Sequence, residues 1–152
     1  MRVLLRLARE RGLHVEWSRE MGDWLRGVYE HDLRVITLNA WMDIDQQRFA
    51  LAHELGHAWH EHTVEGDPHG NPNDERLADE HAASILIDPD LYARAEILRG
   101  PHPGAIADEL GVHPDVVEIF QHVLRRTAPT SYTNPWGRAP WLTPQPGRKQ
   151  SA

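Results

Sequence analysis

The sequence predicts an α+β domain: a short amphipathic helix, a few strands before residue 40, and helices from residue 43 onward. Three observations carry this. Val3, Leu4, Leu7 and Ala8 repeat at helical spacing, Val35-Ile36-Thr37-Leu38 is mostly β-branched, and apolar residues recur with helical period after Asp43.

Gly12 stops the first helix, and Leu13 to Trp17 reads as a short strand. Trp24 to Tyr29 and Leu33 to Asn39 read as a hairpin joined by the polar turn Glu30-His31-Asp32. Asp43 with Gln46 three residues later forms a capping box and opens a long helix to about His62. Glu65 to Pro72 is a loop by its Gly, Pro and Asn content, and Asn73 can cap a helix that stops near Ile87 at Asp88-Pro89. Shorter helices follow over 91–98, near 105–110 and over 114–126, giving a helical C-terminal half. Residues 1–126 then form one domain, as the chain's 152 residues suggest. Residues 127–152 hold five of the 11 prolines with no periodicity, which predicts a flexible extension whose Trp136 and Trp141 are out of character.

Composition narrows the function. No apolar run approaches the roughly 18 to 20 residues needed to cross a bilayer. Arg6, Arg9 and Arg11 interrupt the start before a signal-peptide core can form. There is no cysteine, which removes disulfides, thiolate ligands and cysteine nucleophiles together and agrees with a cytoplasmic home. The net charge is −7, yet no acid follows Glu118 while five basic residues do. Without those five the chain carries 11 bases against 23 acids, a surface that repels phosphate backbones and argues against direct nucleic-acid binding. Ile106 to Val112 followed by Val116-Val117 has a helix-turn-helix pattern. Its would-be recognition helix carries Asp115 and Glu118 where base and phosphate contacts need Arg, Lys, Asn or Gln, so it reads as helical packing.

The chemistry lies in His53-Glu54-Leu55-Gly56-His57. Histidines four apart on a helix share a face, and two imidazoles so placed can reach one cation at about 2.0 to 2.1 Å. Glu54 sits about 100° around the helix, beside the metal but poorly aimed to bind it; its natural partner is the water at the metal's remaining position. A carboxylate there can take the water's proton and pass it to a leaving amine, which is amide hydrolysis. Gly56 leaves space beside this site.

A catalytic zinc needs a third protein ligand. One protease pattern places Gly three and His six residues beyond the second histidine; here those positions are His60 and Thr63, so it fails. The better candidate is Glu75 on the next helix, with Asp79 one turn on to accept the spare N–H of a ligand histidine. Ala78, Ala82 and Ala83 are small enough to let that helix pack closely. His60, His62, His69 and His81 read as surface or packed histidines, and Tyr92, His102 and His122 are candidates for stabilising an oxyanion.

These residues carry a resemblance. His53-Glu54-Leu55-Gly56-His57, then Glu75-x-x-Ala78-Asp79 leading into Ala82-Ala83-x-Ile85-Leu86, resembles the ImmA/IrrE metallopeptidases of mobile elements and stress responses. The strand with Ile36 and Leu38 and the helix entry Arg48-Phe49-Ala50-Leu51-Ala52 also match, so the likeness covers about residues 24 to 90. His81 stands where Phe is usual, and Asp88-Pro89 replaces the customary Met-Pro. The resemblance implies a zincin-like fold with a small antiparallel sheet beside the motif helix. It implies Zn2+ held by His53, His57 and Glu75, with Glu54 as general base. It implies limited proteolysis of a DNA-binding, helix-turn-helix transcriptional repressor. Edge-strand addition, which offers sequence-tolerant main-chain hydrogen bonds, would lay that substrate extended along Leu33 to Asn39. The alternative is a non-catalytic protein that sequesters a partner around a structural or vestigial metal.

Overall fold

A computed structural model describes residues 1–61 and 71–127. The chain order is α1 (Arg2–Glu10), β1 (His14–Ser18), β2 (Gly27–Glu30), β3 (Val35–Asn39), α2 (Ile44–Trp59), α3 (Pro72–Leu86), α4 (Pro89–Arg99), α5 (Pro103–Leu110) and α6 (Pro114–Thr127). The fold is α+β with a helical C-terminal half. The expected extension beyond Thr127, with Trp136 and Trp141, lies outside the described residues, as do His62 and His69.

The sheet differs from a purely antiparallel one. Its order is β1-β3-β2: β2 and β3 form the antiparallel hairpin, and β1 pairs parallel with the far side of β3. The most β-branched strand is therefore central, with its main chain bonded on both sides. β3 thus has no open edge for a substrate, which overturns the expectation that a peptide binds along Leu33 to Asn39.

The hairpin also starts later than its apolar residues suggest. Asn39 is buried, and its amide nitrogen donates to the carbonyls of Gly22 and Leu25, at 3.1 and 2.9 Å. Those bonds hold residues 22–25 as a loop, so Trp24 is 80 % exposed rather than in a strand.

Local chemistry sets the helix starts. The Asp43 carboxylate accepts from the N–H groups of Asp45 and Gln46, and Gln46 returns the bond, completing the capping box that opens α2. α3 starts earlier than expected: Asn71 is its cap and Pro72 its first residue, because proline lacks the N–H that a first turn leaves unpaired. Asp88 ends the run toward α4 by capping that helix at Asp90 and Leu91.

One core joins these elements. Tyr29, Ile36 and Leu38 from the sheet meet Leu51, Ala52 and Leu55 of α2; Ala82 and Ala83 of α3 continue it to Tyr92, Ile106, Val116, Val117 and Phe120. The α5–α6 pair buries Ile106, Ala107, Val112, Val116 and Val117, so its helix-turn-helix pattern is spent on packing. Among the described residues no helix is long and apolar enough to cross a membrane.

Candidate metal centre

α2 presents His53 and His57 one turn apart, their rings 4.7 Å between centroids and their Nε2 atoms 3.0 Å apart. α3 approaches closely because Gly56 faces Ala78. A Cβ on Gly56 would stand 2.7 Å from the Ala78 Cα and 2.9 Å from its carbonyl oxygen. The space expected beside Gly56 is thus filled by the backbone of α3.

Glu75, one turn before Ala78, then spans the histidine pair. Its Oε2 lies 3.3 Å from His53 Nε2 and its Oε1 lies 3.4 Å from His57 Nε2. These three side chains form a group that could hold a metal ion. Three donors about 2.0 to 2.1 Å from one tetrahedral centre stand about 3.3 Å from each other. The two imidazole nitrogens stand 3.0 Å apart, each faces a different Glu75 oxygen at 3.3 and 3.4 Å, and one donor atom from each residue lies within 4.8 Å of the others, close to that geometry. Two nitrogens and one carboxylate are a donor set that suits zinc, and they leave a fourth position open.

Asp79, one turn after Glu75, puts its Oδ1 2.8 Å from His53 Nδ1. With the Nδ1 proton directed to that carboxylate, the Nε2 lone pair faces Glu75 and His57. Phe49 meets the His53 ring edge-on and stacks on His113, which closes the side toward the start of α6. The His53 and His57 side chains are 18 % and 14 % exposed but Glu75 is 43 % exposed, so solvent reaches the group from the α3 side.

The family is decided by how much of the chain shares this frame. Residues 8–120 match the peptidase M78 family, described as the IrrE N-terminal-like domain. The chain belongs to this family. It is a zincin-like domain of metallopeptidase type. The fold is also similar to that of a Mycobacterium tuberculosis transcriptional regulator, with a TM-score of 0.62 at 22 % identity over 82 % of this chain. That match covers 41 % of the regulator, so the chain spans about two fifths of its length. No curated protein matches.

In this M78 domain Glu54 lies outside the group formed by His53, His57 and Glu75, and it is buried. Burial pushes its carboxyl up to about 7, helped by the charge of Glu75 and opposed by the charge of His53 and by a hydrogen bond from the Tyr29 backbone N–H. For His53, burial acts downward, but the hydrogen bonds to Asp79 and Glu75 and the charges of Glu54 and Asp79 outweigh it and raise the group to about 10. A site that so strongly favours positive charge on an imidazole is also suited to a cation.

The M78 domain does not use every candidate. The Tyr92 hydroxyl is turned inward, donating to Glu96 and accepting from Gln121. His102 stands at the start of α5 without a side-chain capping bond, His122 lies on α6, and His81 packs against the rings of Trp59 and His60. Two contributors escaped the sequence reading, both on β2: Gly27, against which Glu54 lies, and the Tyr29 main chain. A main-chain donor has no residue signature. Gly27 had one, since a glycine inside a strand pattern marks a close approach.

Proposed function

We propose that this M78 domain is a zinc-dependent endopeptidase that makes limited cuts in a protein substrate, a helix-turn-helix transcriptional repressor. His53, His57 and Glu75 hold the metal, Asp79 fixes the His53 tautomer, and Glu54 is the general base. One observation carries the reading: a buried carboxylate with its proton affinity raised to about 7 lies directly beside the group of possible ligands without belonging to it. A purely structural site has no use for such a group.

Bound zinc would acidify a water and polarise the scissile carbonyl. The rest falls to the chain. Glu54 accepts the water's proton and delivers it to the leaving nitrogen. The substrate has an edge to follow at β2. The Arg26 carbonyl faces β3, where it accepts the Asn39 N–H, so strand alternation turns the Gly27 and Tyr29 main-chain groups outward. The Tyr29 N–H is given to Glu54. The Gly27 N–H and C=O and the Tyr29 C=O are then left for an extended peptide, which brings the peptide past Glu54. Family membership and the likeness to a transcriptional regulator support a substrate in gene control.

The test is zinc content by mass spectrometry for wild type and His57→Ala, with repressor cleavage during co-expression. Wild type should carry one zinc, His57→Ala close to none, and Glu54→Gln should keep zinc and lose cleavage by about 10² to 10⁴-fold. Cleavage that survives Glu54→Gln rules out this mechanism.

A further inference from the structure

Gly27 is an expensive residue for its place. A glycine inside a strand has no side chain to pack and weakens the strand through backbone entropy. Other glycines have a conformational reason: Gly12, Gly100 and Gly111 have φ of +67°, +79° and +63°, and a Cβ on any of them would meet nothing within 4 Å. Gly27 is the reverse case. Its φ is outside the left-handed region, so its backbone would accept any residue. What would not accept one is its neighbourhood. A Cβ there would lie 3.0 Å from Glu54 Oε1, 3.1 Å from Glu54 Cγ and 3.3 Å from Leu38 Cδ2.

We infer that Gly27 is a positioning residue for Glu54, absent its side chain so that the carboxylate can lie flat against β2. Two residues further on, the Tyr29 N–H holds that carboxylate from the same strand edge. Strand and base form one unit: the glycine supplies the space, the amide supplies the anchor, and α2 supplies the carboxylate. A methyl at position 27 presses on both the Oε1 atom and the Cγ that carries the carboxylate. It also presses on Leu38 Cδ2, the end of a fully buried side chain with little room to yield. Glu54 must therefore give way by a few tenths of an ångström, which loosens its hold on Tyr29. The ligands do not share this constraint, because His53, His57 and Glu75 are fixed by α2 and α3.

The inference rests on the proposed catalytic role of Glu54, and its test separates the two. The first measurement is a double-mutant cycle in thermal unfolding, using Gly27→Ala, Glu54→Ala and the pair. Gly27→Ala should lower Tm by several degrees in the wild-type background and leave it equal or higher in Glu54→Ala, where the methyl enters vacated space. Equal losses in both backgrounds overturn the contact. The second is the visible absorption of the cobalt(II)-loaded proteins, which responds to groups beside the open metal position. Gly27→Ala should bind one cobalt, as wild type does, with a spectrum shifted toward that of Glu54→Ala; a spectrum identical to wild type overturns the positioning role. Wild type that takes up no cobalt removes the catalytic reading and the positioning role with it, even where the unfolding cycle shows the contact.

Discussion

Gly56→Ala should damage both stability and metal binding, although it touches no ligand. The added Cβ would stand 2.7 Å from the Ala78 Cα and 2.9 Å from the Ala78 carbonyl oxygen. Nonbonded carbon contacts settle near 3.5 Å or more, so the overlap is about 0.6 to 0.8 Å. Both obstructing atoms are helix backbone and cannot rotate aside. α3 must back away by about that distance, or the overlap remains as overpacking at about 1 to 3 kcal/mol. For a domain of this size that is a fall in Tm of roughly 3 to 10 °C. Glu75 and Asp79 move with α3, while His53 and His57 stay on α2. Metal sites tolerate about 0.2 Å in their bond lengths, so zinc affinity should fall about tenfold or more.

The assay is thermal unfolding with and without zinc, together with competition against a chromophoric chelator. Gly104→Ala is the control: it makes the same change in α5, where a Cβ meets nothing within 4 Å, and should leave Tm unchanged or slightly raised. If Gly56→Ala equals wild type in Tm and zinc affinity, the close approach of α2 and α3 does not set the geometry of the group.

Other consequences are as direct. Asp79→Asn keeps the shape but lets an amide nitrogen face His53 Nδ1, so zinc affinity should fall about 10 to 100-fold in the chelator competition. Metal binding must displace the proton that His53 holds up to about pH 10, so zinc affinity should rise about tenfold per pH unit between pH 6.5 and 7.5 for that one proton; titrations in buffers of different ionisation enthalpy count it. In metal-free protein, Glu54 stays protonated to about 7 when folded but only to about 4.5 when unfolded. The folded state binds more protons in that window, so stability falls as pH rises through it, by about 3 kcal/mol at most. Metal-free Glu54→Gln should therefore melt above metal-free wild type at pH 8 and level with it at pH 4.5.

The legible features were those written in short-range spacing. The capping box at Asp43 and Gln46, the i,i+4 pair on α2 and the β-branched run at 35–38 each depend on neighbours within a turn or a strand. Relations between elements were less legible. Residues 24–26 carry strand-like side chains, yet Asn39, 14 residues beyond Leu25, claims the Leu25 carbonyl and holds the segment as a loop. That β3 would be central followed from β1 choosing its far side, and no local pattern in Leu13 to Trp17 encodes that choice. The placing of a peptide on β3 failed for this reason alone.

The two glycines make the same point from opposite sides. Gly56 lies in a helix and Gly27 in a strand, where propensity disfavours both. A sequence shows the disfavoured residue but not the atom that requires it. For Gly56 that atom is the Ala78 backbone, which sets how near the carboxylates of α3 come to the histidines. For Gly27 it is Glu54 Oε1, which sets how the buried carboxyl faces the same space. Substituting the first should therefore cost zinc affinity, and substituting the second should spare it while displacing Glu54. The group and the carboxyl beside it are thus held by independent contacts, and only a variant series that reads zinc uptake and Glu54 placement separately can show that they fail separately.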